Sequence, residues 1–150
     1  MKLSEQQRIF TRNIARLVYY AYQNGFELTF GEAFRTNEQQ MIYVQTGKSQ
    51  TMNSNHLRRL AVDFNVFSKG NLTYDWETVK ILGDYWETLD KANRWGGDWN
   101  SKKDAMHFSM ASGERGSVKL KRNGVVPDPA TGAQTPSNPA AVDTTVGKKY

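Results

Sequence analysis

An α+β domain is what this sequence predicts: a small, mostly antiparallel sheet flanked by helices, with a flexible C-terminal tail. Three observations point there. Between Glu5 and Met110, segments of helical and of strand periodicity follow in the order helix, strand, helix, strand, helix, strand. At 150 residues the chain has room for one domain with a sizeable core and is too short for two ordinary ones. All four prolines fall between Pro127 and Pro139, and the stretch from Pro127 to Lys149 has no aromatic residue and no apolar period. Such a stretch buries too little surface to offset its ordering entropy. The expected division is a working domain over residues 1–125 and a tail over 126–150.

Each element has its own signal. From Glu5 to Asn24, the residues Ile9, Phe10, Ile14, Leu17, Val18 and Ala21 recur at helical spacing, and Gly25 is a stop. Phe26-Glu27-Leu28-Thr29-Phe30 alternates apolar and polar, as a half-buried strand does, and runs towards Arg35. Thr36-Asn37-Glu38-Gln39 fits a capping box opening a short helix that ends near Gly47. After a polar loop, Leu60 to Phe67 forms an apolar strand. Asp75 or Thr73 caps a helix from Trp76 to about Ala92, with Trp76, Val79, Leu82, Gly83, Trp86 and Leu89 along one face. Trp95-Gly96-Gly97-Asp98-Trp99 is a turn, Met106 to Met110 a third strand, and Ser117 to Lys121 a possible fourth.

Composition narrows the chemistry. There is no cysteine, so disulfide frameworks and thiolate metal sites are excluded, leaving His, Asp and Glu as ligands. The net charge of +5 favours anionic partners, although the cations are scattered apart from Arg58-Arg59 and Lys119 to Arg122. No zinc-finger, P-loop or RNA-recognition motif occurs, so nucleic acid is not an expected partner. No run approaches a membrane span of ~20 apolar residues, and Ser4-Glu5-Gln6-Gln7-Arg8 stands where a signal peptide would be apolar. Synthesis in the cytosol is expected.

The only two histidines, His56 and His107, each sit near carboxylates: Asp63 follows His56 by seven residues and Asp104 precedes His107 by three. Two imidazoles and one carboxylate can hold zinc tetrahedrally with a fourth position open for water. A further carboxylate, here Asp104, can take the proton from that water. Sequence separation alone does not show whether His56 and Asp63 meet. Helical geometry would put them on one face, but the composition of Leu60 to Phe67 favours a strand carrying Asp63, with His56 on the loop entering it. An acid inside an apolar strand is costly unless paired or metal-bound; a salt bridge to Arg35 or Arg94 is the other way to satisfy Asp63. If the strands of Asp63 and His107 lie side by side, both ligands point at one cation. Arg35 is either a salt-bridge arginine or a fixed cation for developing negative charge. Trp95 and Trp99 either flank a substrate groove or pack around the glycine turn.

The run Ser-x-His-x-x-x-x-Ala-x-Asp from Ser54 to Asp63, the turn Trp95 to Trp99, Asp-x-x-His-Phe from Asp104 to Phe108, and Gly31 to Gln40 together resemble the D-alanyl-D-alanine carboxypeptidase-like zinc peptidases. Within these they are most similar to phage endolysins that cut the L-alanyl–D-glutamate bond of peptidoglycan. The resemblance covers about Phe26 to Met110. It implies zinc on His56, Asp63 and His107, Asp104 as acid/base, Arg35 beside the substrate and the oxyanion, and Ser54 as a substrate contact; Trp95 is expected as a further substrate contact on the groove reading above. It also implies bacterial peptidoglycan as partner and a protein held in the host cytoplasm until a separate membrane pore opens the way to the wall; a monomer is expected. Many relatives have glycine three residues after the first histidine, where this chain has Arg59, and relatives often have glutamate where it has Asp104. The rival enzyme is a D-alanyl-D-alanine carboxypeptidase or dipeptidase with the same metal site. A zinc-containing wall-binding module without turnover is a further alternative, and a basic nucleic-acid-binding domain is the non-metal one.

Overall fold

The computed structural model describes residues 1–113. The expected strand at 117–121 and the tail over 126–150 lie outside them. Three helices and five strands follow the expected order with two additions: α1 (Leu3–Gln23), β1 (Phe26–Phe30), α2 (Asn37–Gln45), β2 (Ala61–Ser68), β3 (Asn71–Thr73), α3 (Trp76–Leu89), β4 (Asn93–Trp95) and β5 (His107–Met110). Short 3-10 turns stand at Asn55–Arg58 and Gly96–Asp98. The strands pair antiparallel in the order β1-β2-β5-β4, with β3 also on β2.

The caps foreseen in the sequence close the helices. Thr36 accepts from the Gln39 amide at 3.2 Å and Asp75 from the Thr78 amide at 2.9 Å. The two small strands escaped the sequence reading because three residues are too few to show a period; β4 lies in the segment read as a helix end and a turn.

Alternation along β2 and β5 divides the sheet into two unlike faces. Val62, Phe64 and Val66 join Phe108 and Met110 on one side, under Phe10, Leu17 and Ala21 of α1 and Val79, Leu82 and Trp86 of α3. This is the core. Trp86 meets Phe10 and Phe108 edge-on, at 5.6 and 6.2 Å between ring centres. Trp95, expected as a substrate contact, belongs to this core. It is 1% exposed, its indole N–H donates to the Ala105 carbonyl at 2.8 Å, and its ring stacks on Trp76 at 5.8 Å. A Cβ at Gly83 or Gly97 would come within 2.1 or 2.3 Å of that ring, so both glycines exist to let the indole in. Trp95 thus takes the packing position around the glycine turn that was the alternative to its reading as a substrate contact.

Candidate metal centre

Asp63 and His107 stand directly opposite each other across the β2–β5 ladder, within the register Ala61↔Ser109, Val62↔Phe108, Asp63↔His107. Because their neighbours Val62, Phe64 and Phe108 face the core, these two side chains project from the other face. Residues 44 apart in sequence thus meet through strand register alone: His107 Nδ1 lies 3.0 Å from Asp63 Oδ1.

His56 arrives from the 3-10 turn that precedes β2. Ser54 caps this turn, its hydroxyl accepting from the His56 amide at 3.3 Å. The turn ends at Arg59, which is left-handed at φ 54. That conformation favours glycine, and here a side chain adopts it. The turn brings His56 Nε2 to 3.4 Å from Asp63 Oδ2, and the two imidazoles stand 5.1 Å apart between ring centres. His56 is buried, contrary to the surface-loop position that an isolated histidine would take.

One ligand atom from each of His56, Asp63 and His107 lies within 4.8 Å of the others. Tetrahedral zinc with bonds of about 2.0–2.1 Å separates its ligand atoms by about 3.3 Å; each imidazole lies near that distance from a different Asp63 oxygen, His107 at 3.0 Å from Oδ1 and His56 at 3.4 Å from Oδ2. His56 Nδ1 is buried without a hydrogen-bond partner, so the ring's polar contact is on the Asp63 side. Burial pushes the Asp63 carboxyl up, but hydrogen bonds from His107 and His56, together with their charge, outweigh it. Asp63 is thereby held well below the ordinary carboxylate range, as a ligand needs. The residues present fit a divalent cation of zinc's preferences.

Two further groups border this cluster. Gly31 donates to the Asp63 carbonyl at 2.7 Å and Asp63 donates to the Glu32 carbonyl at 2.8 Å, so the chain leaving β1 runs tightly past Asp63. It then delivers Arg35, whose amide donates to the His56 carbonyl at 3.3 Å. The Arg35 guanidinium pairs through Nε with Glu32, and Nη1 donates to Gln40 Oε1 at 2.6 Å and to Ser54 Oγ at 3.4 Å. Arg35 therefore makes the salt bridge that was its alternative reading, while Asp63 is satisfied by the two histidines. Ser54 Oγ accepts from both the His56 amide and Arg35, leaving its own proton to donate.

Asp104 sits at the entrance to β5. Its amide donates to the Gly96 carbonyl at 2.9 Å, its carbonyl accepts from the His107 amide at 3.2 Å, and Oδ1 accepts from the Met106 amide at 3.2 Å. The carboxyl is exposed and is not part of the ligand cluster. A Cβ at Gly96 would stand 2.4 Å from the Asp104 carbonyl and 2.9 Å from His107 Cβ, so only glycine permits this approach. The first tryptophan of the Trp95–Trp99 turn is core; the second, Trp99, is 39% exposed and lies 4.8 Å from the His107 ring. The sequence reading gave no role to Gln40 or Glu32. Both lie in the Gly31 to Gln40 segment that carries the resemblance, but nothing in their spacing shows which way they face.

Residues 47–110 match the family model described as D-alanyl-D-alanine carboxypeptidase. The chain is 37% identical over 112 residues to the L-alanyl-D-glutamate peptidase of Listeria phage A118, over 73% of this chain and 38% of that protein. It thus spans well under half the length of that relative. The fold is shared with the solved L-Ala D-Glu endopeptidase ChiX of Serratia marcescens, at a TM-score of 0.60 and 24% identity, over 74% of this chain and 87% of that one.

Proposed function

We propose that the chain, whose residues 47–110 match the family model described as D-alanyl-D-alanine carboxypeptidase, is a zinc-dependent peptidoglycan hydrolase. Its scissile bond is the one between L-alanine and D-glutamate in the peptide stem. The observation that carries this reading is the convergence of His56, Asp63 and His107 within 4.8 Å, inside the family segment. The name of the phage relative supports the choice of bond.

His56, Asp63 and His107 would hold the ion. Zinc bound there supplies Lewis acidity and a water with pKa lowered to about 7. Asp104 takes a proton from the attacking water and returns it to the leaving amine. Arg35 supplies a fixed cation for the negative charge that develops on the carbonyl oxygen. Its Nε and Nη1 are already occupied, while Nη2 has no hydrogen-bond partner among the described residues. Ser54 donates its remaining proton to the substrate. No helix among the described residues is long and apolar enough to cross a membrane. The protein acts as a monomer on peptidoglycan and not on nucleic acid. It is held in the host cytoplasm and reaches the wall through a separate pore.

Digestion of purified cell wall, with and without a chelator, tests this. New D-glutamate N-termini, with L-alanine left on the sugar, are expected, and they vanish on metal removal and return with zinc. Release of D-alanine instead would assign the carboxypeptidase activity. One zinc per chain with no new termini would leave a wall-binding module.

A further inference from the structure

We infer that Gln40 is a positioning residue for Arg35, and that α2 is present chiefly to deliver its carboxamide. The inference rests on the catalytic role given to Arg35 above. Gln40 is the only buried residue of α2, and it is 0% exposed. The apolar side chains beside it, Met41 and Ile42, are exposed, and Tyr43 and Val44 are only half-buried, so no apolar side chain of this helix is fully buried. A buried polar group is tolerated only when its hydrogen bonds are made, and those of Gln40 are all made inward. Oε1 accepts from Arg35 Nη1 at 2.6 Å, and Nε2 donates to Ser49 Oγ at 2.9 Å and to the Thr51 carbonyl at 2.5 Å.

The partners settle which way the amide points. A guanidinium can only donate and a backbone carbonyl can only accept, so oxygen must face Arg35 and nitrogen must face Thr51. Gln40 thus joins the segment that carries Arg35 to the loop that leads to Ser54, and Arg35 closes the circuit on Ser54 Oγ at 3.4 Å. Glu32 holds Nε from the other side and the Tyr43 ring lies 4.7 Å beneath the guanidinium. With Nε and Nη1 held in this way, Nη2 is left to meet the substrate in one orientation. A carboxylate at position 40 would set oxygen against the Thr51 carbonyl, and a thioether would offer no strong acceptor, so neither side chain can replace the amide.

Gln40→Glu and Gln40→Met in the full chain test this against wall digestion. Both are expected to keep one zinc per chain and to lower kcat about 10²-fold, the scale of a lost oxyanion donor, with a smaller change in KM. In an Arg35→Ala background, Gln40→Met is expected to cause no further loss. By NMR, the Arg35 Nη protons should be resolved in the wild type and averaged by rotation in Gln40→Met. Multiplying losses in the double variant, or unchanged Nη resonances, would overturn the positioning role. If the wild type cleaves no wall peptide, the proposed activity fails, and the NMR comparison still decides what Gln40 does. If Gln40→Met fails to fold, Gln40→Leu, which also removes the acceptor facing Arg35, carries both measurements.

Discussion

The two faces of the β2–β5 ladder are built from alternate residues of the same strands, yet different forces hold them. On the helix side, Val62, Phe64, Phe108 and Met110 are closed over by α1 and α3, with two indoles filling the space between. Burial there is apolar and tolerant of exact orientation. On the other side, Asp63 and His107 meet His56 and are bordered by Arg35, Glu32, Ser54 and Gln40, whose contacts are hydrogen bonds and ion pairs. Those contacts fix direction as well as proximity. Stability and chemistry are therefore separable by a shift of one residue along a strand.

Neighbouring substitutions in β5 give the largest contrast. His107→Ala should lose the metal and all detectable turnover while keeping a cooperative unfolding transition. Phe108→Ala should cost about 3–5 kcal/mol of stability. Metal analysis beside thermal or denaturant unfolding measures both, and a His107→Ala protein that still binds zinc one-to-one would erase the distinction between the faces.

A second contrast lies within the polar face. Arg35→Ala and Asp104→Ala should each retain the metal and lose about 10²–10³-fold in turnover. Wild-type rates in purified Asp104→Ala would remove it as the base. Gly96→Ala tests whether backbone approach sets the geometry. Its Cβ would collide with the Asp104 carbonyl, and an ångström of displacement at a catalytic group costs on the order of 10²-fold. Unaltered kinetics in Gly96→Ala would show that the turn can yield.

The smallest effect is expected far from the centre, at the N-cap of α3. A hydrogen bond from the Thr78 side chain, then one from its amide, holds the Asp75 carboxyl below its ordinary value of 3.8. A depressed folded-state pKa contributes stability above the unfolded value, and that stability is lost as pH falls through the folded one. Asp75→Ala should therefore melt slightly below the wild type at neutral pH, and the gap should narrow below pH about 4. A pH-independent gap would mean that the charge plays no part.

The long elements and the grouping of His56, Asp63 and His107 were legible in the sequence. Periodicity marks α1, α3 and β2 over enough residues to stand out, and an acid within the apolar run of Asp63 needs a partner that only a few side chains can provide. Because histidine occurs only twice and cysteine never, few ligand sets were possible. What only tertiary structure decided was direction. Register placed Asp63 opposite His107, glycines at 83 and 97 drew Trp95 into the core while Trp99 came to rest against His107, and Gln40 turned inward from a helix with no apolar face to announce it. Local sequence encodes which residues prefer burial and at what period. The orientation of a polar side chain depends on partners tens of residues away, which the chain supplies only once it has folded.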